Sequence, residues 1–378
     1  MKTEQRHWTN GSAWSADASE LSAKADIVFA FGSTEILSDK RCFEEMRRAY
    51  PKAYLLGCST AGEILDTRVY DDSLALTAVD FESTAIKAAC VDLPEKDIDS
   101  FQCGRKLADS IDSKDLTHAF VLSDGIHVNG SELVRGIVER LPRGVQLTGA
   151  LAGDGTRFAK TVVMANAPAV QNRIALVGFY GKKLKVGYGS LGGWDPFGPD
   201  RLITRARSNI LFELDNQPAL TLYKTYLGEH AAGLPATGLL FPLSVRLKNG
   251  QAVVRTILGV NEQDQSMTFA GDVPEGSFAR LMKANFDRLI DGAQSAARTS
   301  HEAIGASSPD LAILISCVGR KLVLQQRTEE VIEATRAVLG KTAALTGFYS
   351  YGEICPAAPN ANCELHNQTM TITTFAER

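Results

Sequence analysis

Two octapeptides stand out for the chemistry their residues can do. Gly57-Cys-Ser-Thr-Ala-Gly-Glu-Ile64 and Gly347-Phe-Tyr-Ser-Tyr-Gly-Glu-Ile354 share a leading glycine and end on Gly-Glu-Ile. Paired glycines let a backbone approach a ligand closely or adopt positive φ. Around Gly57 and Gly62, the side chains of Ser59, Thr60 and Glu63 add hydroxyls and a carboxylate. Around Gly347 and Gly352, Tyr349, Ser350, Tyr351 and Glu353 do the same, and the two tyrosines can stack on a flat ligand. Either the turns hold a ligand or they are strained turns without one; composition alone weighs these evenly.

A third ending, Gly149-Ala-Leu-Ala-Gly-Asp154, has the leading glycine, a second glycine one residue sooner, and an acid after it. No Gly-Lys-Ser/Thr follows, so Gly149 to Gly155 is not a phosphate-binding Walker loop. Glu63, Asp154 and Glu353 are candidate acid–base carboxylates, but no nucleophile–base pair lies at short range, so catalysis is the weakest reading. Cys58, with no nearby histidine, reads as core more readily than as a nucleophile.

Of the six histidines, two occupy ligand-facing positions. His366 sits in Glu364-Leu-His-Asn-Gln-Thr369, where Asn367 can orient a ligand or the imidazole, and His127 follows Ser123-Asp-Gly125 at a strand end. Cys355, Cys363 and His366 form Cys-x7-Cys-x2-His, which matches no usual zinc spacing.

These residues need elements to hold them, and three strand–helix–strand units do so. The first runs from Asp26 to Ile64, with Ile27–Phe31 a buried strand and a helix opened by Ser38 or Asp39 and stopped by Pro51. The second runs from His118 to Gly155, its helix capped by Ser131; the third runs from Leu311 to Ile354, its helix capped by Thr328 and closed by Gly340. Self-similarity of this kind marks repeated α/β units. Parallel strands with ligand-bearing ends are where open α/β sheets bind. Apolar strands follow each unit, such as Leu74–Val79, Ile174–Phe179 and Thr369–Phe375. Gly187 to Pro199 reads as a loop, Ser208 to Gly228 as a strand and a helix, and Phe278 to Ala297 as an amphipathic helix. The expected fold class is α/β, with duplicated units forming mixed sheets and a boundary near residues 200–220.

Composition excludes several classes. The 378 residues carry a net charge of −4 with no basic patch, which disfavours nucleic acid. No run of about 18 apolar residues is present, and Met1 to Trp8 lacks a signal-peptide core. Seven cysteines, an odd number in apolar surroundings, suit free thiols and a cytoplasmic location.

Together with Leu122-Ser-Asp-Gly125, Val254-Arg-Thr-Ile-Leu-Gly259 and Leu365-His-Asn-Gln-Thr369, the three endings resemble the FIST proteins. The resemblance spans about residues 25 to 375, as an N-terminal module over 25–215 and a C-terminal module over 216–375. It implies sensory ligand binding in signal transduction. Within the family the chain is similar to the haem-binding, nitric-oxide-sensing NosP group, which regulates a separate histidine kinase or cyclic-di-GMP enzyme. Other members are associated with small metabolites such as amino acids, and a homo-oligomer stays open. The expected ligand contacts are Gly57, Cys58, Ser59, Thr60, Gly62, Glu63, Gly347, Tyr349, Ser350, Tyr351, Gly352, Glu353 and Asn367. If haem is the ligand, neutral imidazole is the usual axial group. By position, His366 is the first candidate, His127 the second and Cys355 the third.

Overall fold

The computed structural model describes residues 1–9, 21–94, 97–247, 250, 252–305, 308–356 and 361–378. The first unit comprises β1 (Lys2–Thr9), β2 (Ile27–Gly32), α1 (Thr34–Ser38), α2 (Lys40–Ala49), β3 (Tyr54–Ser59), β4 (Glu63–Leu65), β5 (Arg68–Tyr70) and β6 (Ser73–Asp80). The second comprises β7 (Ala85–Asp92), α3 (Ser100–Asp109), β8 (Leu116–Ser123), α4 (Gly130–Arg140), β9 (Gln146–Leu151), β10 (Val163–Ala165) and β11 (Arg173–Tyr180). The third opens with β12 (Leu184–Leu191) and is then interrupted.

The interruption holds β13 (Asp195–Arg207), β14 (Ile210–Leu214), β15 (Gln217–Pro218), α5 (Ala219–Leu227), β16 (Leu243–Arg246), β17 (Ala252–Arg255), β18 (Ile257–Asn261), β19 (Ser266–Phe269) and β20 (Phe278–Lys283). The third unit resumes with α6 (Phe286–Ala303), β21 (Leu311–Cys317), α7 (Val318–Leu324), α8 (Thr328–Leu339), β22 (Ala344–Ser350), β23 (Gly352–Pro356), β24 (Cys363–His366) and β25 (Met370–Glu377).

Each unit builds one sheet, and each sheet borrows a strand from another unit. The orders are β1-β6-β2-β3-β10, β7-β11-β8-β9-β23-β24 and β12-β25-β21-β22-β4-β5. Unit one thus lends β4 and β5 to the third sheet, unit three lends β23 and β24 to the second, and unit two lends β10 to the first. The loans form a closed circuit. β2, β8 and β21 are buried along their whole length or nearly so, which explains why they are continuous apolar runs rather than alternating ones.

The inner faces of all three sheets meet in one aromatic core. Phe31 of the first sheet lies 4.6 Å from Phe348 of the third, centroid to centroid. Phe29 of the first lies 5.8 Å from Phe120 of the second, and Phe179 of the second lies 5.4 Å from Phe375 of the third. Helices cover the outer faces, with Leu133, Val134 and Ile137 of α4 and Val331 and Ile332 of α8 fully or almost fully buried.

The interrupting segment is a small barrel. Its strand order is β17-β16-β20-β13-β14-β19-β18. Its first and last members, β17 and β18, are consecutive in sequence with only Thr256 between them, so the sheet closes on itself. Leu243, Val245, Val253, Met267, Phe269 and Leu281 fill the interior.

Four local expectations are corrected. Gly187 to Pro199 is not a loop but the end of β12 and the start of β13. A Cβ on Gly187 or Gly189 would lie 1.8 Å from the Ser300 carbonyl or 2.2 Å from that of Ala296, so these glycines let α6 settle on β12. Phe278–Lys283 is strand, and the helix starts at Phe286 after Asn285, whose side chain accepts from Arg288 N. Asn129, not Ser131, caps α4 by accepting from Glu132 N. Thr328 is the first residue of α8 rather than its cap.

The leading glycine of each turn has one physical cause. At Gly57, Gly149 and Gly347 a Cβ would lie 2.1, 1.9 and 1.8 Å from the carbonyl oxygens of Ala30, Val121 and Leu314. Those residues are the direct partners of the glycines on the adjacent parallel strand. Gly347→Ala is therefore expected to cost about 3 kcal/mol, the upper range for forced overpacking. Gly259→Ala, where nothing lies within 4 Å, should stay within about 0.5 kcal/mol. Urea unfolding of both variants checks this; equal stability would contradict it.

Candidate functional site

The three turns meet where the parallel strands of all three sheets end. Gly153 N donates to Ser59 O at 2.9 Å, Ala61 N to Tyr349 O at 2.8 Å, and Tyr351 N to Leu151 O at 3.4 Å. In each turn the acceptor stands two residues after the leading glycine and the donor four. The three bonds therefore form a ring in which every turn gives one bond and receives one. The Gly-Glu-Ile turns do face each other, but across hydrogen bonds rather than an open gap.

The ring also resolves the spelling of the middle copy. Gly153 is the counterpart of Ala61 and Tyr351, not of Gly62 and Gly352. Asp154 is consequently not equivalent to Glu63 and Glu353. It accepts from Thr34 Oγ1 at 2.7 Å and from the Arg157 guanidinium, which hold its carboxyl below the ordinary range despite burial.

Glu63 and Glu353 are true twins. Glu63 accepts from Thr60 Oγ1 at 2.5 Å and Ser73 Oγ at 2.7 Å. Glu353 accepts from Ser350 Oγ at 2.6 Å, and from Thr369 Oγ1 and N at 2.9 and 3.1 Å. Ser73 and Thr369 occupy matching places just before or at the start of the closing strand of their unit. Both carboxyls are buried, and burial pushes them up to about 7 for Glu63 and about 8 for Glu353.

The other expected ligand contacts lie in the same layer. Cys58 is fully buried, and burial pushes its thiol up. Ser59 Oγ accepts from Val162 N at 2.9 Å. Tyr349 is fully buried, its hydroxyl has no partner among the described residues, and Lys321 Nζ lies 5.5 Å from its ring centroid. Tyr351 stacks on Phe158 at 4.3 Å and donates its hydroxyl to Gly155 O.

Asn367 leads away from the ring. Its Nδ2 donates to Tyr351 O at 3.4 Å, and its Oδ1 accepts from Thr256 N, also at 3.4 Å. Thr256 is the residue that joins β17 to β18, so one side chain links the ring to the barrel. Around it runs a polar seam. Arg255 Nη1 donates to Leu365 O at 2.9 Å, Gln368 Nε2 to Leu239 O at 3.0 Å, and Trp194 Nε1 to Gln368 O at 2.7 Å. Sequence reasoning placed Asn367 in the site but missed Arg255 as a site residue. A lone arginine among the β-branched residues Val253, Val254, Thr256 and Ile257 was the available signal.

The three candidate haem ligands are scattered. His366 is buried, and its Nε2 donates to Cys355 O at 2.9 Å, which leaves Nδ1 as the nitrogen for a metal. Burial pushes its imidazole down to about 4. The Cys355 thiol is buried and donates to Pro356 O at 3.3 Å. Both side chains lie in the packed interior. His127 differs: its Nδ1 lies 3.2 Å from Asp124 Oδ1, its side chain is 41% exposed, and its Nε2 has no partner among the described residues. A carboxylate on one ring nitrogen is how a metal-binding imidazole is commonly held. Among the described residues no cluster of three or more His, Cys, Asp or Glu could hold a metal ion. Among them, too, no helix is long and apolar enough to cross a membrane.

Fold and seam define the class: a pseudo-threefold α/β body with a β-barrel inserted into its third unit. Residues 26–217 match the FIST N domain and residues 219–356 the FIST C domain. The chain belongs to the FIST family, whose domains are sensory, ligand-binding modules of signalling. The division between the two matches falls inside the barrel, whereas in space the barrel separates from the body at residues 195 and 283. The chain is 26% identical over 294 residues to the uncharacterized protein MJ1623 of Methanocaldococcus jannaschii. That alignment covers 70% of this chain and 55% of the relative, so the chain spans about half of its length. Among solved structures, a cyanuric acid hydrolase from A. caulinodans aligns over 100% of this chain and 99% of that one, with TM-score 0.38 and 9% identity.

The raised carboxyls carry a sign that can be tested. A glutamate that holds its proton more tightly when folded contributes stability that is full below the unfolded value and lost as pH rises through the folded one. For Glu353 that window runs from the ordinary 4.5 to about 8. Glu353→Gln removes the titrating group, so its stability relative to the wild type should rise from about pH 5 to about pH 9. A difference that does not change over this range would contradict the assignment.

Proposed function

We propose that this chain is the ligand-binding component of a signalling system, taking a small polar metabolite such as an amino acid where the barrel meets the three-sheet body. The observation that carries the reading is Asn367, hydrogen-bonded on one side to the barrel at Thr256 and on the other to the turn ring at Tyr351. Both bonds are long at 3.4 Å and are exchanged at small cost. A ligand that tilts the barrel thereby reaches the ring without rearranging either core. The response then passes to a separate protein, such as a histidine kinase or a cyclic-di-GMP enzyme. Family membership supports the sensory part of this reading. Thermal-shift screening against amino acids and related metabolites tests it. A ligand at about a hundred times its Kd should add about 2.7 kcal/mol of stability. No stabilisation across such a library would count against the reading.

A haem-based nitric oxide sensor is the second reading, and His127 is the residue that favours it. Haem, when bound, would supply an iron centre for the gas, and His127 would offer its Nε2 while Asp124 holds the other nitrogen. Adding haem to the purified protein should then give a Soret band that His127→Ala alters and His366→Ala does not. Absence of haem uptake removes this reading and leaves the first untouched.

A further inference from the structure

The seam opens on one side into a cleft of about 450 Å³, within the range of small-ligand sites. Its walls come from three places far apart in sequence: α4, the barrel at Arg255 and Asp272, and β24 with the residue before it. Most of its polar groups are already engaged. Arg135 is held by Glu132 and lies over the Phe101 ring at 4.6 Å. Asp272 Oδ1 accepts from Asn129 Nδ2 at 3.0 Å.

Three groups are not matched in this way. Arg255 is 2% exposed, and its hydrogen bonds go to backbone carbonyls, those of Asp272 at 2.8 Å and Leu365 at 2.9 Å; the Asp272 and Glu364 carboxylates act on it through space, but none is in ion-pair contact among the described residues. Glu364 is half-buried, and its carboxylate has no hydrogen-bond partner among the described residues. Burial pushes that carboxyl up, while Arg255 opposes the shift. The hydroxyl of Ser131 is buried without a partner among the described residues. A buried charge whose counter-charge stands beyond hydrogen-bond contact is compensated only in part, and the remaining cost is offset when a partner of opposite sign arrives in contact.

From these three groups we infer that the cleft is a binding site for a small zwitterion, whose carboxylate pairs with Arg255 and whose amine pairs with Glu364. Ser131 Oγ supplies the neutral hydrogen bond between them. A ligand of one sign satisfies one wall and leaves the other charge unmatched. The inference rests on the sensory reading, which takes a small polar metabolite where the barrel meets the body. It adds the cleft, its residues and the charge pattern. Because Arg255 also carries the backbone at Leu365, occupancy of the cleft bears directly on the segment that holds Asn367.

Calorimetric titration of the full chain tests this with ω-amino acids from glycine to aminohexanoate, and with diamines and diacids of the same lengths. At least one amino acid of the series should bind, with its matched diamine and diacid at least about tenfold weaker, or about 1.4 kcal/mol. Glu364→Gln, which leaves Arg255 and its backbone contacts in place, should weaken that amino acid by about tenfold or more. The inference is overturned if no member binds, if a single-sign control binds equally well, or if Glu364→Gln binds unchanged. A metabolite that stabilises the wild type and Glu364→Gln alike would leave the sensory reading standing while removing this cleft from it.

Discussion

Three backbone hydrogen bonds, from Gly153 to Ser59, from Ala61 to Tyr349 and from Tyr351 to Leu151, constrain everything else in this molecule. Each unit gives one and takes one, so no unit can complete its turn without the other two. The strand loans follow the same circuit. β4, β10 and β23 are the segments that leave the ring, and each pairs with a different unit from the one that supplied it. The aromatic core formed by Phe29, Phe31, Phe120, Phe179, Phe348 and Phe375 is what this closure encloses. Burying a phenylalanine is worth about 1.5–3 kcal/mol, and these six are divided among three sheets. Their contribution is thus available only to the closed body.

Such closure sets the chemistry of the turn residues. Ser59, Thr60, Glu63, Ser350 and Glu353 look like ligand contacts because they are polar and cluster at strand ends. In the folded chain Thr60 bonds to Glu63 and Ser350 to Glu353, Ser59 Oγ accepts from Val162 N, and backbone hydrogen bonds span the turns. Beyond the ring lies a second buried layer, in which Asn367 and Gln368 hold the barrel seam. A sensor built this way has a rigid centre and a softer contact beside it. The barrel has its own interior, with Leu243, Phe269 and Leu281 packed inside, and so can respond as a body.

Much of the body was legible in the sequence, and for a definite reason. Gly57, Gly149 and Gly347 are each forced by a carbonyl on the neighbouring strand, so the same spelling recurs wherever the same approach occurs. The helices of units two and three were found by their apolar spacing. The acid of the middle turn misled, because Gly153 occupies the place of a residue with a side chain and shifts the alignment by one. The barrel was less legible. Gly187 and Gly189 resemble loop residues, yet they are glycines so that α6 can lie against β12. Phe278 and Leu281 have helical spacing, but Ala279 and Leu281 are the barrel-facing members of an alternating strand. The cleft was hidden altogether: Ser131, Arg255 and Glu364 lie on three separate elements, and only the docking of the barrel on the body brings them to one wall.

The body should open as one unit, since removing any turn from the ring breaks two of its three bonds. Native-state hydrogen exchange at the amides of Ala61, Gly153 and Tyr351 measures this most directly. If the ring is the central constraint, all three exchange only through global unfolding, with one common free energy and one common denaturant dependence. Exchange of any one of them through a local opening, at a free energy more than about 1 kcal/mol below the others, would show that the turns close independently and would contradict the account.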